Sequence, residues 1–264
     1  MGVIIGCIGT IIGAGGGFMI VPLLLLVFGR GQEEATAISL AVVMVNAASG
    51  TLAFGRQGRV DFRSGIFYAL ATIPGAVLGA MVVGLVPVKT FGVLFGLLLV
   101  SLGMFLFVRP RRKEAPRAAG RFDDTTRTLI ERDGTRHNWS FNIKTGVLLS
   151  LGVGFVSSVM GIGGGVIHVP ALTYLLHYPV HVATATSQFV LMVTAGTATV
   201  VHLAKGTMSA ASLAHMVLPL AVGVIFGAQG GAWLSQRMRG VWVIRVLAIV
   251  LGLMGLRVLA AAMR

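Results

Sequence analysis

The chain has 264 residues, of which 56% are hydrophobic, 37 are glycine and only 11% are charged. That charged share is less than half the roughly 25% of a soluble domain, which excludes a soluble enzyme, a disordered chain and a coiled coil and leaves a polytopic all-α membrane protein. The formal net charge of +13 is concentrated: ten of the 21 Lys and Arg fall between Arg109 and Lys144, and outside that stretch the only carboxylates are Glu33, Glu34 and Asp61.

Apolar runs occupy residues 2–28, 35–55, 64–86, 88–108, 145–177, 182–204, 209–236 and 240–262. Each reaches the roughly 20 residues that a spanning helix needs. The first and fifth are too long and too rich in glycine to be single straight helices.

In the first run, Gly13-Ala14-Gly15-Gly16-Gly17 is followed five residues later by Pro22. Each glycine costs about 1 kcal/mol relative to alanine inside a helix, and proline fits best in a helix's first turn. The expected form is a helix that stops at the glycines, an unwound stretch, and a second helix starting near Val21-Pro22. Backbone groups freed at membrane depth persist only when buried in protein or lining a cavity. Unwound N–H groups and the positive end of the second half-helix would then form an anion site with no charged side chain, built on Gly15, Gly16 and Gly17. Close packing of small residues between helices is the competing account. It explains spaced glycines, but not consecutive ones followed by proline, twice.

The next span opens with Ala35-Thr36-Ala37-Ile38-Ser39. Thr36 and Ser39 share a helix face, where their hydroxyls could donate to an anionic oxygen or cap the helix start. Asn46 lies two turns further along that face.

Residues 109–143 form a polar, basic insert between apolar spans, the composition of a cytoplasmic loop. Asp133-Gly134, between Thr128-Leu129-Ile130 and His137-Asn138-Trp139, reads as a two-residue β-hairpin turn. A disordered linker is the alternative. The block lacks interleaved aromatic residues, so nucleic acid is not an expected partner.

Beyond the insert, the sequence of the first unit returns at an offset of 148 residues. Gly161-Ile162-Gly163-Gly164-Gly165-Val166-Ile167-His168-Val169-Pro170 overlays residues 13–22, and Ala183-Thr184-Ala185-Thr186-Ser187 overlays residues 35–39. The chain therefore reads as residues 1–108 and 144–264, two copies of a unit with about four helical segments. The corresponding candidate ligand residues are Gly163, Gly164, Gly165, Thr184 and Ser187, with Gln188 beside them. If the first segment of each copy dips in and returns, the copies are inverted; if it crosses once, they are parallel. The 33-residue length of 145–177 favours inversion, a recurring plan in transporters with discontinuous helices.

Ionisable residues within the spans are His168, His202, His215, Arg245 and Arg257, with no acid among them. His168 stands inside the second glycine motif, where it could read an anion's charge or carry a proton; a packed, satisfied histidine is the alternative. There is no phosphate-loop sequence, and so no ATP motor. No catalytic residue, metal or cofactor is expected. The expected partners are the bilayer and a small anion, and a coupled proton or sodium ion and a second copy of the chain stay open.

The paired Gly-x-Gly-Gly-Gly-x-x-x-Val-Pro motifs, the Ala35-Thr36-x-x-Ser39 start and the Arg56-Gln57-Gly58-Arg59-Val60-Asp61 turn resemble the sulfite exporter TauE/SafE family. The resemblance covers both halves and omits the insert. It implies an inner-membrane secondary carrier of sulfite, sulfonates or related organosulfur anions, without an ATP-binding component. The second half departs from the pattern at Lys205-Gly206-Thr207-Met208, and the insert is longer than the family's usual central loop. Two other readings compete: a membrane anchor or assembly subunit acting through the insert, and an intramembrane hydrolase using Ser49 with His202.

Overall fold

A computed structural model describes residues 1–108 and 125–263. The first apolar run is divided into two ten-residue helices, α1 (Gly2–Ile11) and α2 (Gly17–Leu26). It is followed by α3 (Gln32–Arg56), α4 (Phe62–Val82) and α5 (Val88–Val108). Strands β1 (Thr125–Ile130) and β2 (Arg136–Phe141) lead to α6 (Ile143–Met160), the short α7 (Gly165–Tyr174), α8 (Val180–Ala204), α9 (Ala210–Arg237) and α10 (Gly240–Ala262). Among the described residues, seven helices are long and apolar enough to cross a membrane, namely α3, α4, α5, α6, α8, α9 and α10. Their outer faces carry exposed Leu, Ile, Phe and Met, as lipid contact requires.

Segments at the 148-residue offset form matching elements: α2 and α7 have ten residues each, α3 and α8 have 25 each. Their directions are opposite. Glu33 at the start of α3 pairs with Lys205 at the end of α8, while the Asp61 N–H, just past the end of α3, donates to Thr186 Oγ1 near the start of α8 at 3.1 Å. α3 and α8 are therefore antiparallel. α5 and α10 are antiparallel too, since Gly92 packs on Ala262 and Gly103 on Ala248. α1 runs parallel to α9 and α4 parallel to α6, with backbones brought close by Gly2, Gly6, Gly227 and Gly231 in one pair and Gly75, Gly79 and Gly154 in the other. Small residues at membrane helix contacts permit this approach. Ser212 of α9 donates to Glu34 near the start of α3, and Ser49 further along α3 donates to the Ile225 carbonyl, so α3 runs parallel to α9 and hence to α1; α1 and α2 therefore form a hairpin that dips in and returns.

The second half-helix of each hairpin begins at Gly17 or Gly165, earlier than Pro22 and Pro170 suggest. Gly16 (φ 86°) and Gly164 (φ 96°) adopt left-handed conformations as the N-caps, which start the helix at once. The prolines then lie inside it, at the cost of one backbone bond each.

The insert holds an antiparallel hairpin, with Thr125 opposite Phe141 and Ile130 opposite Arg136. Its turn is longer than the two residues expected from Asp133-Gly134. The Glu131 N–H donates to the Thr135 carbonyl and Gly134 adopts φ 87°, leaving a three-residue loop with glycine at its left-handed position. Trp139 and Phe141 pack on Tyr178 with ring centroids 4.9 and 5.0 Å away. Arg59 Nε donates to Glu131 Oε2 at 2.6 Å, and His137 Nε2 lies 2.8 Å from Glu131 Oε1. Both Arg59 and Glu131 are buried. Removing one partner of a buried ion pair leaves an uncompensated charge and costs about 3–5 kcal/mol. Glu131→Ala should therefore release the hairpin, read as protease cleavage near residue 131 at concentrations that leave the wild type intact.

Candidate functional site

The two breaks meet at the centre of the molecule, where α3 crosses α8. Val43 of α3 and Leu191 of α8 touch both Gly15 and Gly163. A Cβ at Gly17 would stand 2.7 Å from the Gly161 carbonyl oxygen, and one at Gly165 only 2.3 Å from that of Gly13. Backbone lies directly on backbone. Only glycine permits this approach, and the left-handed φ values at Gly13, Gly15, Gly16, Gly161, Gly163 and Gly164 add a second reason for it.

The sequence-predicted residues gather here, with their hydrogen bonds arranged across the halves. Ser39 Oγ of α3 donates to the Gly161 carbonyl at 2.7 Å, and Ser187 Oγ of α8 donates to the Gly13 carbonyl at 3.1 Å. Each serine thus serves the break of the other half. Asn46 Nδ2 donates to the Gly15 carbonyl and Gln188 Nε2 to the Gly9 carbonyl. Thr184 Oγ1 returns to the Val180 carbonyl of its own helix, whereas Thr36 Oγ1 is buried with no partner among the described residues. In this conformation Ser39, Ser187, Asn46 and Gln188 satisfy carbonyl acceptors exposed by unwinding.

The donors are left over. Among the described residues, no carbonyl accepts from the N–H groups of Gly16, Gly17 and Phe18, nor from those of Gly163, Gly164, Gly165 and Val166. These are the first N–H groups of α2 and α7 and the unwound residues ahead of them, where helix dipoles place positive potential. The described carboxylates stand elsewhere, with Glu33 held by Lys205, Glu34 by Arg30, Asp61 by Tyr178, Glu131 by Arg59, and Asp133 exposed in the hairpin turn. A buried set of neutral donors without a carboxylate suits an anion and disfavours a cation.

His168 sits apart from the unpaired donors. It is buried against α6 and α4, with Nε2 3.0 Å from Ser150 Oγ and its ring edge-on to Tyr68. His215, Arg245 and Arg257 are exposed, and Arg245 lies over Trp242. Ser49 bonds the Ile225 carbonyl and Gln229, while His202, toward the opposite end of α8, lies 3.5 Å from Thr207. They do not form a nucleophile–base pair. Sequence reasoning passed over Ser157, buried with an unpartnered hydroxyl among the described residues and one turn before the second glycine motif. Its signal was position, a hydroxyl within one turn of a helix break.

A family model described as Sulfite exporter TauE/SafE matches residues 1–258. Probable membrane transporter protein YunE of Bacillus subtilis is 30% identical, over 97% of this chain and 93% of that protein. A probable membrane transporter protein of Methanocaldococcus jannaschii is 23% identical, over 97% of this chain and 92% of its own length. One from Xylella fastidiosa is 32% identical over 64% of this chain and 59% of its own length. No solved structure matches.

Proposed function

The chain belongs to the sulfite exporter TauE/SafE family of membrane proteins, and from that premise we propose that it is a secondary transporter of a small anion, most consistent with sulfite or a sulfonate. The observation that carries the anion reading is the set of buried N–H groups at Gly16–Phe18 and Gly163–Val166 that meet no carbonyl. Donors of this kind bind anions without a lone cation. In this reading the halves are inverted copies of one unit, and access alternates as one moves against the other around the breaks. Ser39 and Ser187 would then be exchangeable contacts, bonded to break carbonyls in one state and available to the ligand in another. A coupled proton or sodium ion, and His168 as the proton carrier, belong to the same proposal, as does a homo-oligomer in the inner membrane.

Flux into proteoliposomes tests it. Purified protein should carry labelled sulfite faster than protein-free vesicles, with competition by whichever of taurine, sulfoacetate or thiosulfate shares the site. Equal flux in both vesicle preparations for every one of these anions would contradict the proposal.

The hairpin end is assigned to the cytoplasm by the basic residues of the insert. Thr126 is exposed and Cys7 is the only cysteine. Cysteine introduced as Thr126→Cys in a Cys7→Ser background should resist a membrane-impermeant thiol reagent in intact cells and react after lysis. Labelling from outside would reverse the orientation.

A further inference from the structure

Although the two breaks share a sequence pattern, their surroundings differ. At the first, Gly9 lies against the break so closely that a Cβ there would be 2.6 Å from the Gly16 nitrogen. Its carbonyl accepts from the N–H groups of Ala14 and Gly15 and from Gln188 Nε2. The left-handed N-cap Gly16 faces an Ile5 methyl, 2.6 Å from where its Cβ would stand. Apolar and backbone atoms close this end.

The residue 148 positions after Gly9 is Ser157. Its side chain is fully buried, its Oγ has no partner, and that Oγ lies 3.1 Å from the Cβ position of Gly164, the N-cap of α7. Among the described residues the Ser157 carbonyl accepts from Gly161 and Ile162 alone. The N–H of Gly163, whose counterpart Gly15 is bonded in the first half, therefore stays available. We propose that the chain holds one anion seat rather than two, at the start of α7, formed by the N–H groups of Gly163–Val166 with the Ser157 hydroxyl. The first break is its closed structural counterpart. The ligand class is a compact oxyanion, such as sulfite or a sulfonate head group, whose several oxygens match several neutral donors. This rests on the anion-transporter reading above and makes Ser157 a residue that sets affinity.

Three variants, Ser157→Ala, Ser157→Asp and Ser158→Ala, test it against the wild type by titration with sodium sulfite and by thermal melting without it. Ser158 packs on Gly79 of α4 and is the control. The wild type should bind one sulfite per chain. Ser157→Ala should weaken binding at least tenfold without lowering the melting temperature, and Ser158→Ala should leave affinity unchanged. A carboxylate at position 157 would occupy the seat itself, so Ser157→Asp should abolish sulfite binding and raise the melting temperature. Two sulfites per chain, or wild-type affinity in Ser157→Ala, would overturn the single seat. If Ser157→Asp fails to fold, Ser157→Ala decides alone. If the wild type ignores sulfite while Ser157→Asp melts higher, the sulfur-anion reading fails and the anion-accepting helix end stands.

Discussion

Replacing Gly165 with alanine is expected to eliminate folded protein. A methyl group there would stand 2.3 Å from the Gly13 carbonyl oxygen and 2.7 Å from Ala14 Cα. Both are backbone atoms of the opposite break, so no rotamer change relieves the contact. Ordinary overpacking costs about 1–3 kcal/mol because side chains can shift; here the two hairpins must separate. Gly17→Ala should behave alike, since its methyl would meet the Gly161 carbonyl oxygen at 2.7 Å and Ile162 Cα at 2.9 Å. Gly152 and Gly230 have nothing within 4 Å of their Cβ positions. Alanine at those helical sites should be neutral or stabilise by about 0.5–1 kcal/mol. Size-exclusion profiles of the four variants, expressed side by side, check the contrast. A monodisperse Gly165→Ala protein would show that the breaks are not packed on each other.

The second large effect is on binding. Gly164 caps α7 at φ 96°, and Ser157 Oγ and Val153 are the atoms nearest its Cβ position. The obstacle is thus side chain rather than backbone, so neighbours can shift for Gly164→Leu where the Gly13 and Ala14 backbone cannot for Gly165→Ala. Left-handed geometry costs a non-glycine residue about 1–2 kcal/mol and overpacking about 1–3 kcal/mol more, so the melting temperature should fall. The leucine side chain would cover the N–H groups that the anion uses. Hydrogen bonds to charged groups are worth about 1.5–3 kcal/mol each, so losing two costs at least about 3 kcal/mol, more than a hundredfold in affinity. Taken together, the two variants separate the packing and binding roles of adjacent glycines in one motif.

The spans 88–108 and 240–262 were legible to the residue because apolar side chains and glycine fill most of them, with Pro87 just ahead of the first and Arg239 just ahead of the second. The breaks were legible because consecutive glycines, at about 1 kcal/mol each relative to alanine, together with a following proline favour interruption of the helix. Where each second half-helix starts was less so. Proline marks a preferred position, but the left-handed glycine N-cap decides it. The residues packed around the breaks were legible as a group and not as partners. Local spacing places Thr36 and Ser39 on one face, but that Ser39 reaches Gly161, 122 residues away, depends on the antiparallel crossing of α3 and α8. The ion pair of Arg59 with Glu131 is hidden for the same reason, since a composition rule sees a basic loop and not the one acid in it that anchors the hairpin. Ser157 was missed because a serine before a glycine run reads as ordinary helix interior until its hydroxyl is seen unpaired at the α7 N-terminus.

Calorimetric titration of the wild type and Gly164→Leu with sodium sulfite, on samples whose melting temperatures are measured in parallel, tests directly whether backbone donors at the breaks hold the anion. The account predicts that the wild type binds and that folded Gly164→Leu does not. Wild-type affinity in a folded Gly164→Leu protein would contradict it.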